Sequence, residues 1–407
     1  MERTTIKFSA KDDTRTVLEP IYDTITKCRA CYASELEPVL DLGEQFIPRF
    51  VPDIDYGLPR APLHLVRCNN CGLLQLEHTV KNDLLFRKYW YRSSINQTMK
   101  DALSNVVENA LQYHRFGTWL DIGANDGYLL SQVPDTFHKT ACEPALDFAD
   151  SLKQHAKRVV TDYFSKSACT GPYDVITSCA MFYDLDDPGK FVRDIHDVLS
   201  SDGIWINQLN DSPTMLEKNG FDGICHEHLT YYDIHVLADL YRQHGLTITR
   251  VTHNEVNGGS MRVVARKSTR QREDLLGIKK ATRADAQAFA QRVHKWKERM
   301  LDLCHGPFAQ RGCWIYGAST KMTVMLQYLD SHESFLGAAE RNPLKYNLRM
   351  VGSWTPIVSE EAMRANMPGY ILVGPYAFKE EFLKRERATL EAGASFVMPL
   401  PNIEIVL

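Results

Sequence analysis

"LDIGANDGYLL", residues 120–130, runs from an apolar strand through Gly123, Asn125 and Gly127 into a helix-compatible stretch. Glycine admits positive φ and a close backbone approach, and the helix that follows offers unpaired amides to a ligand. The match to the dinucleotide pattern G-x-G-x-x-G is incomplete, because Asn125 stands where the second glycine belongs. Outward from this turn, apolar strands alternate with helical stretches: TWLDIG (118–123), KTACEP (139–144), YDVITSC (173–179) and GIWINQL (203–209). That alternation predicts an α/β core with a doubly wound, largely parallel sheet. A polar helix is predicted over about 272–303, where RADAQAFAQRVHKWKERMLDLC carries apolar residues at three-to-four spacing. Beyond it CWIYGA (313–318), SFLGAAE (334–340), GYILVGP (369–375) and SFVMPLP (395–401) predict a second, smaller α/β unit.

Ahead of the core, CRAC (28–31) and CNNC (68–71) form two Cys-x2-Cys knuckles with 36 residues between them. Four thiolates at about 2.3 Å complete a tetrahedral, closed and therefore structural zinc site. Gly72 follows the second pair, where a tight turn needs positive φ. Three domains are expected: 1–85 with zinc on Cys28, Cys31, Cys68 and Cys71, 86–265 around the glycine turn, and a Rossmann-like 266–407. A formal net charge of −4 and 24% charged residues give no overall pull toward nucleic acid or an anionic membrane. The polar start MERTTIKFSAKDDTRT has no signal-peptide core, and no apolar run approaches a membrane span. A cytoplasmic, monomeric protein with no nucleic-acid or membrane partner is the expectation.

The glycine turn resembles motif I of class I S-adenosylmethionine-dependent methyltransferases, an acid on the strand followed by G-x-x-x-G. In that family the acid, here Asp121, contacts the methionine end of the donor. Glu143 ends the next strand, where a carboxylate can take both ribose hydroxyls, and Asp162 sits where such enzymes commonly bind the adenine amino group. With Gly123, Asn125 and Gly127 these form the expected cofactor site.

"NGFDGICHEHLTYYD" (219–233) places Cys225, His226, Glu227 and His228 in succession. With the knuckles, motif I and this segment together, the chain resembles the sugar C-methyltransferases that act on nucleotide-linked deoxysugars. Supporting stretches are LDLGEQFIP (40–48), CGLLQL (71–76), LLFRKYWYRSS (84–94), VNGGSMRVVARK (256–267), YGASTKMT (316–323), RNPLKYN (341–347) and TPIVS (355–359). The resemblance implies methylation of a sugar carbon beside a 4-keto group, C3 being the expected carbon. It implies acid–base work for Glu227 and His228, with Tyr91 as a cleft tyrosine. The chain departs from the family at Cys225, where Tyr or Phe is common, and at Ala180 and Asp184, aligned with an Asn and a His.

Physically, a sugar carbon becomes nucleophilic only after losing a proton, which a neighbouring ketone makes removable. Histidine is the natural base near neutrality, with Glu227 orienting it or stabilising its charged form and Tyr91 or Tyr231 donating to the enolate oxygen. Ser319 and Lys321 open a helix after a strand and suit a pyrophosphate, with Arg341 and Asn342 as further phosphate or base contacts. Alternatives are O- or N-methylation of a sugar nucleotide, a His226-x-His228 metal pair, and a zinc-knuckle RNA-modifying protein. His226 is expected to be structural, and Cys179, Cys225 and Cys313 to be buried apolar residues.

Overall fold

The computed structural model describes residues 20–87, 91–268, 275, 277–374, 376 and 379–406. The polar start, Lys88–Trp90, the 272–274 end of the predicted helix and Pro375 lie outside the described residues. The glycine turn belongs to a seven-stranded sheet. Its order is Leu246–Asn254, Ser260–Lys267, Leu199–Asn210, Tyr173–Cys179, Gly117–Ile122, Phe137–Cys142 and Arg158–Val160. The last five strands run parallel and the first two join antiparallel. Leu120, Val175, Ile176, Ile204 and Ile206 are fully buried, as expected of strands covered by helices on both faces.

A second sheet, of order Ile357–Ser359, Phe335–Glu340, Cys313–Tyr316, Tyr370–Val373, Ser395–Met398 and Glu404–Val406, is parallel except for its last strand. The N-terminal strands Leu36–Phe46, Arg60–Cys68 and Leu74–Leu76 form an antiparallel sheet. Its fourth strand, Thr230–Tyr231, comes from just behind the CHEH cluster, so the N-terminal sheet fixes one end of that segment. Phe50–Val51 likewise pairs with Arg349–Met350.

The polar helix spans Arg283–Leu303, starting later than its periodicity predicts because a capping box between Thr282 and Asp285 sets its N-terminus. Its Phe289, Val293 and Trp296 are buried in one apolar core with Leu40, Leu63 and Leu76 from the N-terminal strands. Phe221 and Ile224 from the centre and Ile315 and Val324 from the C-terminal unit complete that core. The helix is a shared spine that presses all three parts around one cavity. Among the described residues no helix is long and apolar enough to cross a membrane.

Candidate active site

The cavity holds about 530 Å³, within the roughly 300–1,000 Å³ of small-molecule sites. On one wall the strand ending at Ile122 delivers Asp121, Gly123 and Asn125, and the neighbouring strand delivers Glu143. Gly123, Asn125 and Gly127 all have positive φ, 71°, 49° and 87°. A Cβ on Gly123 would stand 3.0 Å from Met181 Cγ, so a larger residue would be strained and crowded. Asp121 is buried and accepts from Thr177 Oγ1 at 2.7 Å; burial pushes its carboxyl up to about 7. Glu143 accepts the Asn125 N–H at 2.8 Å and the Ala145 N–H at 2.9 Å, one on each oxygen. Each oxygen keeps a further lone pair for a ligand.

Asn125 lines the cavity and also ties down a neighbouring segment. Its Oδ1 accepts from Ser93 N at 3.0 Å and its Nδ2 donates to Tyr91 O at 3.1 Å. Asp126 adds bonds from Ser93 Oγ at 2.7 Å and Ser94 N at 3.0 Å. The turn therefore clasps the segment that carries Tyr91, which lines the cavity with 46% of its surface exposed. Asp162 is not brought into the cavity lining: its carboxylate is 63% exposed, bonds the Tyr163 N–H and faces Arg87 at 4.0 Å. Its neighbours Tyr163 and Phe164 line the cavity instead.

Across the cavity, Cys225, Glu227 and His228 converge, with sulfur, carboxylate oxygen and ring nitrogen within 4.8 Å of one another. His228 Nδ1 lies 2.7 Å from Gly223 O. A carbonyl only accepts, so Nδ1 carries the proton and Nε2 keeps its lone pair. Gly223 thus orients the ring through Nδ1. The ring packs edge-on against Tyr183 at 4.5 Å. Burial lowers the imidazole from an ordinary 6.5 to about 4, with Lys321 adding to the shift. Asp184 also lines the cavity; burial and then the charge of Glu227 push its carboxyl well above the usual range.

His226 faces the other way, buried, donating from Nε2 to Ala61 O at 3.0 Å. The His226-x-His228 pair therefore does not converge. Tyr231 is buried, is not in the cavity lining, and its hydroxyl is 3.4 Å from Gly223 O. Cys313 is a core residue as expected, whereas Cys179 and Cys225 also line the cavity.

From the C-terminal unit, Ser319 caps the helix Thr320–Leu329 by accepting from Met322 N, and Lys321 enters the cavity. The Lys321 ammonium donates to Asn257 O at 3.3 Å and stands 3.6 Å from Asp222 Oδ2. Asp222, only 1% exposed, accepts from the Tyr376 hydroxyl at 3.4 Å on its other oxygen. Asp222, Asn257 and Tyr376 escaped the sequence reading: Asp222 and Asn257 stood in conspicuous stretches without a role of their own, and Tyr376 carries no local signature. Arg341 and Asn342 lie outside the cavity lining. Arg341 pairs with Glu381 at 3.7 Å, and buried Asn342 caps the turn Pro343–Lys345.

Away from the cavity the four knuckle sulfurs lie within 4.8 Å of one another. Cys28 and Cys71, and Cys31 and Cys68, are each 3.6 Å apart, close to the roughly 3.8 Å edge of a tetrahedron with 2.3 Å zinc–sulfur bonds. The two knuckles are built alike: Tyr32 N bonds Cys28 O at 2.9 Å and Gly72 N bonds Cys68 O at 3.0 Å. Tyr32 and Gly72 both hold positive φ, 61° and 88°.

Three family models match in chain order: a zinc-binding domain over 28–86, a methyltransferase domain over 91–251 and a C-methyltransferase C-terminal domain over 255–401. The chain thus carries, in order, the domains of a C-methyltransferase. It is 23% identical to the C-methyltransferase NovU of Streptomyces niveus, over 96% of this chain and 99% of that protein. Among solved structures it is similar to the 1,6-didemethyltoxoflavin-N1-methyltransferase of Burkholderia thailandensis. That likeness has 18% identity and a TM-score of 0.34, over 42% of this chain and 78% of that one. An S-adenosylmethionine-dependent methyltransferase of Clostridium acetobutylicum gives 13% identity and a TM-score of 0.33, over 43% and 94%.

The enzyme is an S-adenosylmethionine-dependent methyltransferase with a zinc-binding N-terminal domain. The residues present fit both groups. The sulfur spacing suits tetrahedral zinc, and the donor wall joins a side-chain-free turn at Gly123 to the carboxyls of Asp121 and Glu143. Those carboxyls suit a cationic ligand that also carries hydroxyls.

Proposed function

We propose that the enzyme methylates a carbon beside the 4-keto group of a nucleotide-linked deoxysugar, C3 of the ring, after removing a proton from it. One observation carries this reading: the donor wall and the His228–Lys321 wall face the same cavity. S-adenosylmethionine supplies an electrophilic methyl group, so the acceptor carbon is what needs activation. His228 is held as the Nδ1–H tautomer by Gly223, and its Nε2 lone pair takes the α-proton. The resulting imidazolium lies beside Glu227, which favours its charge.

A base buried to about 4 is weak, so the ketone must be made more acidic at its oxygen. Lys321 is the one lysine or arginine among the described residues of the cavity lining. Pinned by Asn257 and Asp222, its ammonium stabilises the enolate oxygen, a role the sequence reading gave to tyrosine. Asp121, Glu143 and the turn at Gly123–Gly127 hold the donor, and Tyr91 closes the cavity above the clasp on Asn125. Ser319 and the amides at the start of its helix border the nucleotide portion.

The test is incubation with 4-keto deoxysugar nucleotides and labelled donor, followed by NMR of the product. A methyl on carbon adjacent to the ketone is expected. A methyl on oxygen or nitrogen overturns the reading.

A further inference from the structure

Outside the cavity lining, His64 on the strand Arg60–Cys68 meets Glu77 and His78, just past the strand Leu74–Leu76, with two ring nitrogens and a carboxylate oxygen within 4.8 Å of one another. Asp41 and His64 are cross-strand partners, and the Glu77 N–H bonds His64 O at 2.9 Å, so the group spans adjacent strands. His64 Nε2 is 3.1 Å from Asp41 Oδ1, while its Nδ1 is 3.2 Å from Glu77 Oε2. If Nε2 donates to Asp41, the neutral ring turns its Nδ1 lone pair toward a carboxylate oxygen, a repulsion that a cation on Nδ1, a proton or a metal ion, relieves. The His78 ring stands edge-on to His64 at 5.1 Å and is only 9% exposed. Its Nδ1 is buried without a hydrogen-bond partner. A buried ring nitrogen lacking a partner is costly, and a metal ion removes that cost.

We propose that His64, His78 and Glu77 hold a divalent transition-metal ion, with Asp41 orienting His64 from behind. Two imidazoles and one carboxylate, the first backed by a second carboxylate, are the donors that select zinc, cobalt, nickel or copper over magnesium and calcium. Burial also lowers the His78 imidazole, keeping it in the neutral form that binds metal. The ion ties the strand Arg60–Cys68 to its neighbours, and Ala61 on that strand accepts the hydrogen bond from His226. The site thus braces the segment that carries His228.

The probe is Co2+ added to the full-length zinc-loaded protein, followed by calorimetry and absorption. One added equivalent should bind with weak visible bands and no sulfur-to-cobalt charge transfer. His78→Asn should abolish that equivalent while elemental analysis still finds the cysteine-bound zinc. Should His78→Asn misfold, Glu77→Gln, at a half-exposed position between two strands, serves instead and should lose the same equivalent. Asp41→Asn should weaken binding about 10–100-fold, the usual effect of losing an outer partner. The proposal is overturned if no saturable equivalent binds or if binding is unchanged in Glu77→Gln. It is also overturned if the equivalent shows sulfur charge transfer that Cys225→Ser removes, which would place the ion in the cavity. None of these outcomes bears on where the methyl group goes.

Discussion

The knuckle cysteines and the Cys225–Glu227–His228 cluster both gather metal-ligating or reactive side chains, and they are built in opposite ways. The knuckle cysteines come from two separated pairs, each wrapped by backbone amides, with Cys28 and Cys68 fully buried. Their sulfurs pair 3.6 Å apart, so four like ligands close on one ion. Cys225, Glu227 and His228 are nearly consecutive, lie in an irregular segment and open onto a cavity. There the His228 ring is fixed by a carbonyl behind it, and its second nitrogen is left to react. Matched, enclosed ligands make a brace; mixed groups with one held side and one open side make a reagent.

The contrast breaks first at the cysteines. Cys28→Ser should lose the four-sulfur zinc and with it part of the roughly 10–16 kcal/mol that such a metal contributes in small zinc domains. Elemental analysis and a thermal melt read this, and Cys225→Ser should keep both the zinc and nearly the wild-type melt. Equal damage from the two would erase the distinction. Next, Lys321→Met should slow turnover by about 10²–10³-fold, as for loss of an oxyanion donor. Its affinity for a nucleoside diphosphate alone should hold within a few-fold. A large loss of diphosphate affinity instead would return Lys321 to the pyrophosphate role.

A smaller effect is expected on the donor wall. Glu143→Ala should weaken S-adenosylhomocysteine binding by about 1–3 kcal/mol, measured by calorimetry, because it removes charged hydrogen bonds. Part of that loss comes from freeing the Asn125 N–H it now holds. The subtlest test is the pH profile. With His228 lowered to about 4, the neutral base persists down to that value, so the acid limb of kcat/KM should fall near 4 and not near 6.5. The same shift gives the fold stability that is complete above 6.5 and declines as pH drops from 6.5 to 4, where only the unfolded chain takes the proton. An acid limb of kcat/KM at 6.5 would show that Glu227 restores ordinary basicity in the free enzyme.

The legible features were those with local causes. Strand–glycine–helix alternation reports burial on both sheet faces, and cysteine spacing reports the knuckle turn, so the core and the metal ligands could be read from short windows. Asp121, Glu143 and His228 were legible for the same reason, each fixed at a strand end or within a dense motif. Asp222 and Asn257 meet Lys321, and Tyr376 meets Asp222, only through tertiary packing between segments far apart in sequence, and no window of sequence contains that meeting. Asp162, Arg341 and Asn342 were placed by position in a motif, but side-chain direction at the turns after the strands sends them elsewhere. Asn125 lines the cavity, but the clasp of its side chain on the segment at Tyr91–Ser93 is likewise a tertiary contact outside any short window.

The claim that His228 removes the α-proton is tested most directly by isotope exchange. Wild type, a 4-keto deoxysugar nucleotide and S-adenosylhomocysteine are mixed in D2O, and deuterium at the carbon beside the ketone is followed by NMR. Wild type should incorporate it, and His228→Asn should lose exchange and methyl transfer together by about 10²–10⁴-fold while still binding both ligands. His226→Asn, altering a ring that bonds Ala61 away from the cavity, should change exchange far less. Wild-type exchange or methylation in His228→Asn would contradict the account.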